Sequence, residues 1–272
     1  MKRTSTLTLS LLALPLVVIA VCAAFSGLLV PDATHKDILL GTTAPGTGGH
    51  LFGTDQLGRD VLQMAVAGAR SAVVGPVVIA LGSMAIGLLL GTIAGYSGGW
   101  LDLLLSKYAD LLLALPTTLI AIVVAGLIDG GYWVTVGVLV VLFSPTDIRM
   151  VRGAVLAQRG LPYVEAAQVL GLSRWRIMFR HLVPNVLPIA FATMLINVAF
   201  ALVSISALSF LGLGIGPGHA DWGRQLSDGR DLLGLNWAAA VVPGLLIIIT
   251  ATLVNLLGDL VGERLTAAGE KR

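Results

Sequence analysis

The chain has 272 residues, of which 56% are hydrophobic and only 12% charged, with a net charge of +2 and a mean hydropathy of +0.92. A soluble globular domain carries about 25% charged residues, so an ordinary soluble enzyme is excluded, and a surplus of two positive charges is too small to mark a nucleic-acid binder. A single cysteine, Cys22, excludes an internal disulfide and reads as a lipid-buried apolar residue.

The charges are segregated. Stretches without Asp, Glu, Lys or Arg run over 4–31, 71–101, 111–128, 130–146, 181–220 and 232–258, 161 residues together, and the other 111 hold all 32 charges. Each stretch accommodates one helix across a hydrocarbon core of about 30 Å. Their continuous apolar character excludes a membrane barrel, whose strands alternate. The expected fold is an all-α integral membrane protein with six transmembrane helices. A seventh uncharged gap, 38–54, is rich in glycine and threonine and reads as a loop.

In chain order, residues 1–6 form a tail and 7–30 the first span. Lys2, Arg3 and Cys22 admit a secretory-signal reading. The apolar run exceeds the 7 to 15 residues of a signal core, and bulky Val21 precedes Cys22, so an uncleaved anchor is expected. Residues 31–70 then form a segment on the opposite side of the membrane, in which Thr54 is expected to cap a helix starting at Asp55. A five-helix core over 71–260 follows, with a long connection at 144–188, and 261–272 is the second tail.

Twelve Lys and Arg fall on the side of the tails (Lys2, Arg3, Lys107, Arg149, Arg152, Arg159, Arg174, Arg176, Arg180, Arg264, Lys271, Arg272) against five opposite (Lys36, Arg59, Arg70, Arg224, Arg230). The positive-inside bias therefore predicts that both termini are cytoplasmic. Tyr96, Trp100, Tyr132, Trp133 and Trp237 stand at span ends, as interfacial rings do. Lys107 and Asp110, spaced i, i+3, read as an interfacial pair, and Asp129 lies at the outer end of its span. No span has a central acidic residue on this reading, which argues against a proton-coupled carrier. Gly82, Gly87 and Gly91 permit close helix packing. Pro15, Pro76, Pro116, Pro188 and Pro243 loosen local hydrogen bonding in or beside spans.

The long inner connection has its own pattern. Ser144-Pro145-Thr146-Asp147 reads as a helix start, which would confine the fourth span to about 132–143. Pro162 opens a short helix with Tyr163, Ala166, Ala167 and Leu170 at i, i+3, i+4 and i+7, and Gly171 suits its left-handed stop. Ser173 then caps an amphipathic helix carrying Trp175, Met178, Phe179 and Leu182 on one face and Arg176 and Arg180 on another, ended by Pro184. Two readings stay open: a segment lying on lipid headgroups, or a docking element whose Ala166 and Ala167 admit a partner's backbone while Glu165 supplies a charge. On the outer side Asp221 is expected to cap a helix beginning at Trp222. His35, His50 and His219 match no compact ligand motif, so no metal site is expected.

Glu165-Ala166-Ala167, Gly171 and Pro184 resemble the inner loop of bacterial binding-protein-dependent ABC importer permeases. His181 and Val183 depart from that loop's usual Ile and Leu. Gly53-Thr54-Asp55, Gly58-Arg59-Asp60 and the run Ser209 to Gly214 with Pro217 and Asp221-Trp222-Gly223 are similar to the C-type permease subunit of the dipeptide, oligopeptide and nickel importers. Gly95 to Asp102 and Leu113-Ala114-Leu115-Pro116 extend the likeness over nearly the whole chain. One departure is Asp147, where that subfamily more often has an aromatic residue.

The resemblance implies a type I ABC importer permease fold in the bacterial inner membrane. It also implies a coupling helix formed by Tyr163, Glu165, Ala166, Ala167, Leu170, Gly171 and Arg174. Implied partners are a second homologous permease, two ATPase subunits or domains that bind ATP and Mg, and an extracytoplasmic binding protein, with no cofactor on this chain. The Gly53 to Asp60 motif and Asp221, Trp222 and Gly223 would form an outer docking region near the pore mouth. Peptides lead as substrate, with nickel or another small solute as the alternative. The Gly41 to Gly46 spacing is followed by Thr47 and Gly48, so no phosphate loop exists, and neither a nucleophile elbow nor a metalloprotease helix occurs. A secondary carrier would show inverted repeats and midplane charges, and a membrane enzyme a polar catalytic cluster.

Overall fold

The computed structural model describes residues 2–128, 131–216 and 218–269, with side chains from residue 13 to residue 264. Asp129, Pro217 and the side chains of Lys2, Arg3, Lys271 and Arg272 lie outside them. Regular structure among the described residues is helical, apart from two isolated bridges, Thr47 to His50 and Thr54 to Asp60. Helix α1 is Lys2–Leu29, with an apolar part at Ala13–Leu29. Helix α2 (Val61–Ile86), a π-helical turn at Gly87–Gly91 and α3 (Thr92–Ser97) make one run of 37 residues. Helices α4 (Gly99–Leu113) and α5 (Thr117–Leu127) follow, bent by 85° around Pro116. Next come α6 (Gly131–Gln158), the short α7 (Pro162–Val169), α8 (Arg174–Arg176), a second π-helical turn at Ile177–Leu182 and α9 (Val183–Phe210). Helices α10 (Trp222–Arg230) and α11 (Ala238–Gly269) complete the chain.

Each of the six apolar stretches contains a helix among its described residues. Four runs, 61–97, 131–158, 174–210 and 238–264, are long and apolar enough to cross a membrane, and the bent α4–α5 pair makes five if it is one span.

Three expected boundaries move. Helix α6 runs through Pro145 where a fresh start was expected. A proline in a helix leaves the carbonyl four residues back without its donor, here Val141, and the Ser144 hydroxyl donates to that same carbonyl at 2.8 Å. Ser144 repairs the helix rather than capping one. Pro184 does not end a helix either: the turn before it widens to π, with the Val183 amide bonded to the carbonyl of Met178, five residues back. Such a turn absorbs the local disruption without a break. Helix α2 begins at Val61, capped by Asp60, whose Oδ1 accepts the Gln63 amide at 2.9 Å. Thr54, expected as a cap, is fully buried in the preceding loop.

The chain forms two compact units, 1–77 with 122–136 and 198–257, and 78–121 with 137–197 and 258–272. In the first, the indole of Trp222 is buried among Ala23, Ala69, Ala72, Leu202 and Ile247. In the second, Val151, Val155, Val164, Ala167, Ile177, Leu182, Val186 and Ala190 form the core. Glycines bring helices of the second unit to near backbone contact. A Cβ on Gly82 would meet Val140 Cγ1 at 2.9 Å, one on Gly91 the Ile148 carbonyl at 2.7 Å, and one on Gly95 the Arg152 carbonyl at 2.9 Å.

Gly91→Val is therefore expected to destabilise the chain by about 1–3 kcal/mol, as other overpacked sites do. Gly137→Ala, whose added Cβ meets nothing within 4 Å, should leave the thermal midpoint in detergent unchanged or slightly higher. Equal behaviour of the two variants would show that the close approach does not control stability.

Candidate functional site

Helix α7 is short enough to depend on its ends. Pro162 occupies its first turn, where the missing N–H is no loss. At the other end Gly171 has φ +71 and donates to the Gln168 carbonyl at 2.9 Å, while Leu172 donates to Ala167 at 3.2 Å. Those two bonds are the paired closure of a left-handed helix stop. An added Cβ at Gly171 meets no atom within 4 Å, so conformation and not space requires glycine there. Val164 and Ala167 face the core of the chain. Tyr163 is half-buried and bonds Gln158 Oε1 at 2.7 Å. Glu165, Ala166, Val169, Leu170, Gly171 and Arg174 are exposed, Val169 at 88% and Leu170 at 79%. The expected pairing of Ala166 with Ala167 as one contact face is thus corrected, because Ala167 is only 5% exposed and packs inward. Glu165 makes no ion pair among the described residues.

Ion pairs join α6 to α4 in the same unit. Arg152 grips Asp102 with Nε and Nη2, the latter at 2.7 Å from Oδ2. Arg149 pairs with Asp110, which also lies 3.8 Å from Lys107 Nζ. Arg159 donates to the Gly95 carbonyl at 3.2 Å. Ser173 Oγ accepts from the Arg176 amide at 3.4 Å, as its capping role requires. Trp175 and Phe179 stack at 5.5 Å and remain partly exposed beyond it.

On the first unit, the Gly53 to Asp60 motif builds a knot. Asp55 accepts the amides of Leu57 and Arg59 at 2.8 and 3.0 Å and the Arg59 guanidinium at 2.6 Å. Arg59 is only 4% exposed. Thr54 Oγ1 bonds the Thr43 amide at 2.8 Å and the Gly41 carbonyl at 2.6 Å. Asn236 donates to the carbonyls of Phe52 and Thr54 at 2.9 and 3.0 Å. Gly53 and Gly58 have φ +69 and +73, and a Cβ on Gly58 would strike the Asp37 carbonyl. His50 Nδ1 is 2.6 Å from Asp60 Oδ2.

Helix α10 is equally tied down. Asp221 caps it, accepting from the Arg224 amide at 3.0 Å and from Ser71 Oγ at 3.0 Å. Trp222 Nε1 donates to the Ala65 carbonyl at 2.7 Å, Gln225 donates to Met64 at 2.8 Å, and a Cβ on Gly223 would collide with Ser206. Asp221, Trp222 and Gly223 are buried and present no surface to a partner. What this segment exposes is Arg230, Asp231, Leu233 and Leu235. Burial pushes the Asp228 carboxyl up, against Arg224 at 3.0 Å and Arg59 at 4.0 Å, which lower it.

Residues 87–267 match the family described as the binding-protein-dependent transport system inner membrane component. The chain belongs to this family. It is 35% identical to the glutathione transport system permease protein GsiD of Pectobacterium atrosepticum, over 77% of this chain and 70% of that one. It is 32% identical to the di/tripeptide transport system permease protein DppC of Pseudomonas aeruginosa, over 90% and 82%. With the probable D,D-dipeptide transport system permease protein DdpC of Escherichia coli it shares 31% identity, over 84% and 77%. Among solved structures, the inward-facing MetNI methionine ABC transporter superposes with a TM-score of 0.57 at 17% identity, covering 75% of this chain and 97% of that one. The protein is a multi-pass inner-membrane permease component with the ABC importer permease fold.

Asp147 is the residue of this permease that sequence reasoning misplaced. With α6 continuous, it stands inside a spanning helix, so the absence of an acidic residue within the spans is overturned. It is 2% exposed, accepts from Asn197 Nδ2 at 2.9 Å through Oδ1, and its Oδ2 has no hydrogen-bond partner among the described residues. The apparent proline break at 145 hid it.

Burial, the largest cause, raises the Asp221 carboxyl above the usual carboxylate range, only partly offset by the Arg224 amide and Ser71. A raised folded-state pKa makes the group's contribution full below the unfolded pKa and diminished as pH rises through the folded one. Asp221→Asn keeps a capping oxygen without the charge. It should therefore raise the unfolding midpoint at neutral pH, with the gain vanishing as pH falls below the ordinary carboxylate range. Asp221→Ala should lose about 1 kcal/mol with the cap. An Asn effect that is flat with pH, read by thermal unfolding, would contradict this.

Proposed function

We propose that the chain is one of two pore-forming permease subunits of an ATP-driven peptide importer, and that α7 is the element through which separate ATPase subunits act on it. The carrying observation is the construction of α7: anchored inward by Val164 and Ala167, closed by Gly171, and presenting Glu165, Ala166, Val169 and Leu170 outward with no side-chain partner among the described residues. Two exposed large aliphatic residues beside an unpaired carboxylate are costly to leave in water and suit a protein groove. The substrate class is supported by relatives whose names specify dipeptides, tripeptides and glutathione.

On this reading both termini are cytoplasmic, following the Lys and Arg bias, and an extracytoplasmic binding protein delivers the peptide to the opposite face. ATP and Mg are held by the ATPase subunits, whose closure moves α7. The permease population shifts only to the extent that the ATPase contacts α7 differently in its two states. A second, homologous permease completes the pore, and this chain binds no cofactor.

Glu165→Lys reverses an exposed charge that the fold does not use. It should abolish co-purification of the ATPase subunits while membrane insertion and thermal midpoint stay unchanged. Gly171→Val, which forces a β-branched residue to positive φ at about 1–2 kcal/mol or more, should also uncouple transport. Normal assembly and uptake in both variants would refute the assignment of α7.

A further inference from the structure

Nine residues into α2 stands Arg70, where the charge-free part of that helix begins. Its side chain is exposed and has no hydrogen bond or ion pair among the described residues, unlike Arg59, Arg149, Arg152, Arg159, Arg224 and Arg230. A bare guanidinium on a spanning helix is costly against lipid, and such residues face water-filled cavities and mark substrate paths. Arg70 does line a cavity of about 570 Å³, together with Ser71, Tyr132, Trp133 and His219 and the glycine-rich backbone at 214–216. All of these belong to the first unit, and that volume is in the usual range for small-ligand sites, about 300–1,000 Å³.

The cavity walls are held in place. Tyr132 donates to the Ser71 carbonyl at 2.6 Å, its ring fills the space a Cβ on Gly75 would occupy, and Trp133 meets it edge-on at 5.3 Å. Thr135 donates to the Leu213 carbonyl at 2.7 Å, and Gly214 packs directly on Ser209. No Asp or Glu is among the described lining residues, and the nearby Asp221 carboxylate is engaged by Ser71 Oγ at 3.0 Å and the Arg224 amide at 3.0 Å. Arg70 carries the one formal charge among the described lining residues, and its planar fork suits a carboxylate. Trp133, 61% exposed, offers a flat apolar face beside it.

We propose that this cavity receives the C-terminal carboxylate of the arriving peptide, with Arg70 as its counter-charge and Trp133 against the terminal side chain. The assignment rests on the peptide-importer reading above. A terminal carboxylate is common to every unmodified peptide whatever its side chains, so reading it selects the class without selecting a sequence.

The test uses the assembled importer in liposomes with its binding protein and the dipeptide Gly-Leu. Arg70→Gln should cut uptake at saturating binding protein roughly tenfold or more, the worth of a charge-assisted bond, with Arg70→Lys intermediate. ATPase stimulation by the liganded binding protein, affinity for the unliganded binding protein and thermal midpoint should all be retained. Unchanged uptake overturns the proposal. Weaker capture of the unliganded binding protein also overturns it, because Arg70 would then meet an acidic side chain of the delivering protein. Failure of the unsubstituted importer to take up any dipeptide would sink the peptide reading itself, and is distinguished by arising before any substitution.

Discussion

The second unit of this permease is organised by the approach of one helical run to α6 at backbone distance. Glycines at 82, 87, 91 and 95 leave room for the backbone or β-carbons of 140 to 155, and Gly87 meets Asp147 with no space for a side chain. In an apolar solvent the hydrophobic effect does not hold helices together, so close packing must supply the attraction. The spacing of 87, 91 and 95 puts them on one face, and the π turn at 87–91 falls within the same seam. Once α6 is seated, Val151 and Val155 enter the core on which Val164 and Ala167 rest, and Arg152 reaches Asp102. The position of α7 is thus a consequence of glycines more than sixty residues earlier.

The second constraint is that buried polar groups need partners in the chain, since lipid offers none. Most are satisfied within the chain: Ser144 serves the carbonyl that Pro145 frees, Thr135 bonds the Leu213 carbonyl at 2.7 Å, and Ser83 bonds Ala80 at 3.2 Å. Asp147 is one of the exceptions, because Asn197 satisfies only one of its oxygens, and the hydroxyls of Thr92 and Thr250 also lack a partner among the described residues. The first unit applies the same rule to its loops, where Asn236 alone holds the carbonyls of Phe52 and Thr54 and, through its own oxygen, the Ala238 amide at 3.1 Å.

The apolar stretches were readable in the sequence because a span's length and lack of charge are properties of the segment itself. So were the stop at Gly171 and the caps at Ser173 and Asp221, which need only the residue and its immediate neighbours. What failed were inferences that a proline ends a helix. Pro145 and Pro184 do break local hydrogen bonds, but a serine hydroxyl one residue away or a widened turn restores them, and neither remedy has a periodic signature. The misreading of Thr54 has another origin: its hydroxyl is claimed by Gly41 and Thr43, eleven to thirteen residues upstream, contacts that no local pattern announces. Arg70 reads in the sequence as a topology charge because the charge-free stretch starts after it, although the helix starts at Val61.

The motifs that made the chain recognisable are mostly interior. Thr54, Arg59, Asp221, Trp222 and Ala167 are each 5% exposed or less. Their hydrogen bonds run to backbone atoms and to other side chains of this chain, Asp55 and Ser71 among them, so substituting them would disturb the scaffold before any partner noticed. Resemblance through such residues therefore carries the architecture. Discrimination among partners and substrates has to be carried by side chains the architecture leaves free: Glu165, Val169 and Leu170 on α7, Leu233 and Leu235 after α10, and Arg70 with Trp133 at the cavity. Those positions can change without cost to folding, which is the condition under which one permease scaffold serves importers of different peptides.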